Sequence, residues 1–107
     1  GFTINLSIIF MKTLEQIKQI LKQLKPELES KFHVNEIGIF GSYVFQNQSE
    51  ESDIDILVAF SKTPTLFEYV RAMNYLSEKL EKKVDLVMKT SLKPNIGKRI
   101  LKEVVYI

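Results

Sequence analysis

The chain of 107 residues has no cysteine, no tryptophan and a single histidine, His33. The missing cysteines exclude a disulfide framework and any thiolate metal site, which fits a cytoplasmic location. No apolar run approaches the roughly 18 residues that a membrane span needs, so no membrane partner is expected. The formal net charge of +2 is too small to argue for direct contact with nucleic acid or a membrane surface. There is no internal repeat, low-complexity segment or interdomain linker. The length leaves room for one small domain and no second core.

The first ten residues differ from the rest. They carry no charge, and Met11-Lys12-Thr13-Leu14 after them reads as a natural start. Residues 1–10 are therefore expected to be an N-terminal extension, with the domain spanning 11–107. A basic n-region and a small-residue cleavage site, which would mark a signal peptide, are both missing. The alternation Thr3-Ile4-Asn5-Leu6 suits an edge strand. Apolar termini leave a small domain of this kind open to forming a homo-oligomer.

Beyond Met11, helix and strand signals alternate. Thr13 and Gln16 form a capping box, and Leu14, Ile17, Leu21, Leu24 and Leu28 recur at helical spacing. Pro26 predicts a kink or a break near the end of that helix. Val34 to Phe40 reads as a first strand, Ser42 to Phe45 as a short helix, and residues 47–52 as a polar loop. The second strand is expected from Asp53 to Phe60. Thr65 and Glu68 form another capping box, opening a helix to about Lys83 with Leu66, Val70, Met73, Leu76 and Leu80 inward. Phe67, Tyr69 and Tyr75 read as core or partner surface. Val84 to Met88 is a third strand, a final helix opens at Ser91-Leu92-Lys93-Pro94 and runs to about Glu103, and Val104 to Ile107 is a short last strand. This order implies an α/β domain, a small mixed sheet flanked by helices.

Three features carry chemistry. In a strand, residues i and i+2 share a face, so Asp53 and Asp55 can converge while Ile54 packs behind them. Carboxylates opening a buried apolar strand are costly unless neutralised, and Mg2+ is the usual counter-ion. Asp85 lies inside another short apolar strand and would join them if the two strands were neighbours; otherwise it caps or pairs with Lys82 or Lys83. The Gly41-Ser42 turn lets backbone approach a phosphate closely, with the Ser42 hydroxyl and local amides as donors. A solvated turn and an N-cap would explain either motif alone. Together they point to a nucleoside triphosphate held beside a divalent metal, with Asp53, Asp55 and Asp85 as the carboxylates around Mg2+. His33, before an apolar strand, reads as a partly exposed structural residue, and Tyr43 and Tyr106 as candidate self-modification sites.

The combination Gly41-Ser42, Ser52-Asp53-Ile54-Asp55 and Val84-Asp85-Leu86-Val87, with Leu92-Lys93-Pro94 after it, resembles the minimal nucleotidyltransferases of the DNA polymerase beta-like superfamily. The resemblance extends over nearly the whole chain from Met11. It implies the nucleotidyltransferase fold, Asp53, Asp55 and Asp85 as catalytic and metal-binding residues, and Gly41, Ser42 and Ser52 around the nucleotide. It also implies ATP and Mg2+ as substrate and cofactor, and a HEPN-domain toxin as partner, silenced by transfer of AMP to one of its tyrosines. Many such proteins carry Ala-Arg-Gly where this chain has Val44-Phe45-Gln46, so a bidentate phosphate ligand is missing. Lys93, Lys98 and Arg99 are candidates to replace it, and Phe45 is expected to pack. The alternatives are an antitoxin that only binds its toxin, and transfer to a small molecule or RNA. So short a domain lacks a separate acceptor-binding unit, which favours a protein acceptor.

Overall fold

The computed structural model describes residues 12–107, and the alternating segment at 3–6 lies outside them. Helix α1 (Leu14–Phe32) is followed by strand β1 (Val34–Phe40), β2 (Ile54–Phe60), helix α2 (Leu66–Leu80), β3 (Val84–Met88), helix α3 (Pro94–Glu103) and β4 (Val105–Tyr106). The sheet order is β3-β2-β1-β4. Strand β1 is antiparallel to both β2 and β4, while β2 and β3 run parallel. A parallel pair needs a crossover, and α2 supplies it.

Both long helices start as their sequences dictate. Thr13 accepts from the Gln16 amide and Gln16 reciprocates, and Thr65 and Glu68 form the same pair. Each helix ends on a left-handed residue, His33 (φ 58°) and Glu81 (φ 53°). His33 is exposed, and its carbonyl takes hydrogen bonds from the Ser61 amide and hydroxyl. Its role is thus to turn the chain into β1.

Of the kink or break expected at Pro26, the break does not occur: α1 continues through it to Phe32. A proline costs one intrahelical hydrogen bond, and tertiary contacts beyond it compensate. Leu28 is fully buried, Phe32 stacks on Tyr75 at 4.8 Å between ring centroids, and the Tyr75 hydroxyl donates to Glu27.

The inner face of α2 also differs from expectation. Ala72, Leu76 and Leu80 are buried, flanked by Tyr69, Met73 and Tyr75, whereas Leu66, Phe67 and Val70 are exposed. Tyr69 supplies the shift of the stripe by packing its ring inward and donating its hydroxyl to the Leu86 carbonyl on β3. Strand β2 begins at Ile54, one residue later than expected, and the last helix is preceded by a separate 3-10 turn at Lys89–Ser91.

One face of the sheet is closed by α1 and α2. Ile37, Ile39, Ile54, Ile56, Val58, Val84 and Leu86 form its core with Ile17, Leu21, Leu28 and the buried residues of α2. Because side chains alternate, Gly38, Asp55, Leu57 and Asp85 fall on the opposite face. There Val104, just past α3, lies so close over Gly38 that a Cβ would stand 2.6 Å from its Cγ2. The acidic residues therefore sit on the face that α3 approaches, away from the main core. No helix among the described residues is long and apolar enough to cross a membrane.

Candidate active site

The site is built on the step from β1 into its following turn. Phe40 pairs with Asp55 across the β1–β2 ladder, so the next residue comes alongside the Asp55 side chain. That residue is Gly41, at φ +80°, and a Cβ there would lie 2.1 Å from Asp55 Oδ2. Glycine is required twice, by the left-handed backbone and by the carboxylate against it.

A 3-10 turn over Gly41–Tyr43 replaces the expected helix from Ser42 to Phe45. The Val44 amide donates to the Gly41 carbonyl at 3.0 Å and the Asn47 amide to the Ser42 carbonyl at 3.1 Å. The left-handed Gln46 (φ 57°) then ends any helical continuation.

Tyr43 anchors this turn. Its ring is fully buried in the core, and its hydroxyl has no partner among the described residues. Burial first, and then the Asp53 charge, push the phenol above its usual pKa and keep it neutral. A side chain with no exposed surface is closed to modification, so of the two tyrosines raised as self-modification candidates only Tyr106 is accessible. Tyr43→Phe is expected to leave stability unchanged or raise it slightly in urea unfolding. It removes an unsatisfied buried hydroxyl at almost no cost in volume.

The three aspartates are placed unequally. Asp55 and Asp85 are direct register partners across the parallel β2–β3 pair, so their side chains stand side by side on one face of the sheet. Burial, then the charges of Asp85 and Asp53, the contact with Asp85, and the charge of Glu103 push the Asp55 pKa up to about 6. Asp53 precedes β2 and lies 3.9 Å from Lys83 in a largely exposed ion pair. Thus Lys83 meets Asp53, while Lys82 reaches the Glu50 carbonyl and neither takes Asp85 as its partner.

Among the described residues, no three His, Cys, Asp or Glu side chains are gathered tightly enough to hold a metal ion. Two carboxylates pressed together are nevertheless a hard-oxygen donor set that a divalent cation would satisfy. Asp53 can join them by releasing Lys83, an exposed pair of small energetic weight.

Ser42 is half-exposed beside Gly41. Ser52 shapes the loop instead: its Oγ accepts from the Ser49 amide at 2.8 Å, and its own amide donates to the Ser49 carbonyl at 3.1 Å. This clasp delivers the chain into Asp53.

Two features went unrecognised in the sequence. Phe45 does not pack: it is 60% exposed. With Asn95, Lys98, Arg99, Lys102 and Glu103 of α3 it lines a groove of about 550 Å³. The spacing 95, 98, 99, 102 is one stripe of a helix, which was the available signal, but nothing local said that Phe45 would face it.

Comparison with known proteins decides the family. The model of the family "Polymerase beta, Nucleotidyltransferase" matches residues 12–107. This chain belongs to the polymerase beta nucleotidyltransferase family. It is 50% identical over 97 residues to the protein adenylyltransferase MntA of Thermococcus cleftensis, covering 91% of this chain and 98% of the relative. A solved structure described as a minimal nucleotidyltransferase superposes with a TM-score of 0.75 at 28% identity, over 88% of this chain and 95% of that one. A solved toxin–antitoxin with AMP-PNP matches at a TM-score of 0.67 and 26% identity, over 84% of this chain and 70% of that one. The fold is that of a minimal nucleotidyltransferase. In this nucleotidyltransferase the Gly41 turn and the Asp55–Asp85 pair therefore occupy adjoining strands of the family's own domain, not of an appended segment.

Proposed function

We propose that this nucleotidyltransferase transfers AMP from ATP to a tyrosine hydroxyl of a HEPN-domain toxin and is the antitoxin of that toxin. The observation that carries the reading is the placement of Asp55, held over Gly41 on one side and against Asp85 on the other. The likeness to a protein adenylyltransferase supports the activity, and the AMP-PNP complex of a toxin–antitoxin relative supports both the nucleotide and the partner.

The turn accepts the triphosphate. Gly41 offers backbone without a side chain, and the Ser42 amide and hydroxyl donate to phosphate oxygens. Asp55 and Asp85, with Asp53 turned from Lys83, would hold Mg2+, which when bound offsets the triphosphate charge. Asp85 is exposed on the outermost strand, where an incoming protein hydroxyl can reach it and give up its proton. The hydroxyl oxygen forms its bond to the α-phosphorus as the bond to the β-phosphate oxygen breaks, and pyrophosphate leaves with that electron pair. Alignment and charge compensation supply most of the acceleration.

The test uses ATP labelled at the α-phosphate, Mg2+, this protein and the HEPN-domain protein. Label is expected on the partner, at least about 100-fold reduced for Asp53→Asn. An unlabelled toxin that is still bound and inhibited would replace transfer with simple occlusion.

A further inference from the structure

The motif that contains the aspartates carries no cation of its own. Between Lys31 and Lys62 the chain has no lysine or arginine, yet that stretch includes the Gly41 turn and five carboxylates, Glu36, Glu50, Glu51, Asp53 and Asp55. A nucleoside triphosphate brings several more negative charges to this region, so positive charge must come from elsewhere in the fold.

Helix α3 brings it. Lys98, Arg99 and Lys102 face Phe45 across the groove that opens beside the turn, and the one carboxylate among its lining residues is Glu103. All three cations are solvent-exposed, and among the described residues none is engaged in an ion pair. Val104, the residue after Glu103, lies against Gly38 of β1, which seats the end of α3 beside the strand that leads into the Gly41 turn. Across the sheet the order is Asp85 on β3, Asp55 on β2, then the turn after β1. If the acceptor enters at Asp85, in-line displacement sends pyrophosphate the opposite way, toward the turn and this groove.

We propose that the groove between Phe45 and α3 is the pyrophosphate subsite, in which Lys98, Arg99 and Lys102 bind the β- and γ-phosphates of the substrate and hold the departing pyrophosphate. The assignment rests on the nucleotidyl-transfer reading. The bond changes are those of transfer itself: the acceptor oxygen bonds to the α-phosphorus, and the phosphoanhydride electron pair departs on the pyrophosphate that these cations receive. Asn95 can add an amide donor, and Phe45 lines the groove from the segment after the turn.

The experiment is calorimetric titration of the full chain with inorganic pyrophosphate and, separately, with AMP, each with and without Mg2+. Lys98→Glu/Lys102→Glu is compared with wild type and with Lys98→Arg/Lys102→Arg. The glutamate variant is expected to bind pyrophosphate at least about 30-fold more weakly. AMP affinity should change less than about threefold, and the arginine variant should bind pyrophosphate like wild type. Undiminished pyrophosphate binding by the glutamate variant overturns the subsite, as does an equal loss for AMP. Parallel assays of labelled AMP transfer separate the two readings. Wild-type transfer with pyrophosphate binding insensitive to the glutamates rejects the groove alone. Charge-dependent pyrophosphate binding without any transfer rejects the adenylyltransferase reading and keeps the groove.

Discussion

Asp55→Asn is expected to yield a protein that is more stable than the wild type and severely impaired in transfer. Asp55 is held over Gly41 and beside Asp85, and its pKa is pushed up to about 6, first by burial and then by neighbouring carboxylates. Below about pH 4 this carboxyl is protonated in both folded and unfolded chains and costs nothing. As pH rises toward and through 6, the unfolded chain releases the proton first, so the folded state loses stability progressively. Asparagine stays neutral, and its amide can donate to Asp85 at every pH. The metal-free variant should therefore melt about 4 °C above wild type at pH 7, the modest size reflecting solvent screening of a half-exposed group. The gap should close by pH 4 and narrow when Mg2+ is added, because the wild type alone recovers stability by binding it. Transfer should fall by about 10³-fold, since a ligand that offsets charge in the transition state is lost. Melting curves across pH 4–8 with the labelled-ATP assay check both halves. A variant less stable than wild type at pH 7 would refute the strain.

Gly41→Ala should damage stability and transfer together. The left-handed backbone alone costs alanine about 1 kcal/mol, and the new Cβ would sit 2.1 Å from Asp55 Oδ2. Either Asp55 rotates away from Asp85 or the turn moves away from the phosphate site, and transfer should drop about 10²-fold or more in either case. A double-mutant cycle with Asp55→Ala separates the two costs. In that background the carboxylate is gone and the nearest remaining atom is Asp55 Cβ at 3.3 Å. The stability penalty of Gly41→Ala should then shrink to the backbone cost of about 1 kcal/mol. Urea unfolding of the four proteins gives the result, and an unchanged penalty would place the whole effect in the backbone.

What the sequence disclosed follows the range of each interaction. Thr13 and Thr65 announce their helices because a capping box is closed within four residues. The strands at Val34, Ile54 and Val84 show as short apolar runs between breakers, and Gly41 and the aspartates mark the end that holds the candidate site. The helix runs on past Pro26 because the contacts that hold its last turns are made with Tyr75, far along the chain. The stripe of α2 is displaced because Tyr69 spends its hydroxyl on a carbonyl of β3, a partner that periodicity does not see. The unequal standing of the aspartates, with Asp53 at Lys83 and Asp55 at Asp85, depends on one inter-strand register. The cationic side of the groove is legible as a helical stripe, but its partner Phe45 lies about fifty residues earlier in the chain.

The crossover through α2 carries a further meaning for when the site becomes complete. Asp55 and Asp85 lie on opposite sides of it, so they meet only after β3 has returned to pair with β2. Such a pairing is non-local and closes late in folding. A nascent or partly opened chain can form α1, the β1–β2 hairpin and the Gly41 turn and still lack the carboxylate pair. Chemical competence is thereby a readout of finished folding: the carboxylate pair exists only in the mature molecule and is lost as soon as β3 detaches from β2.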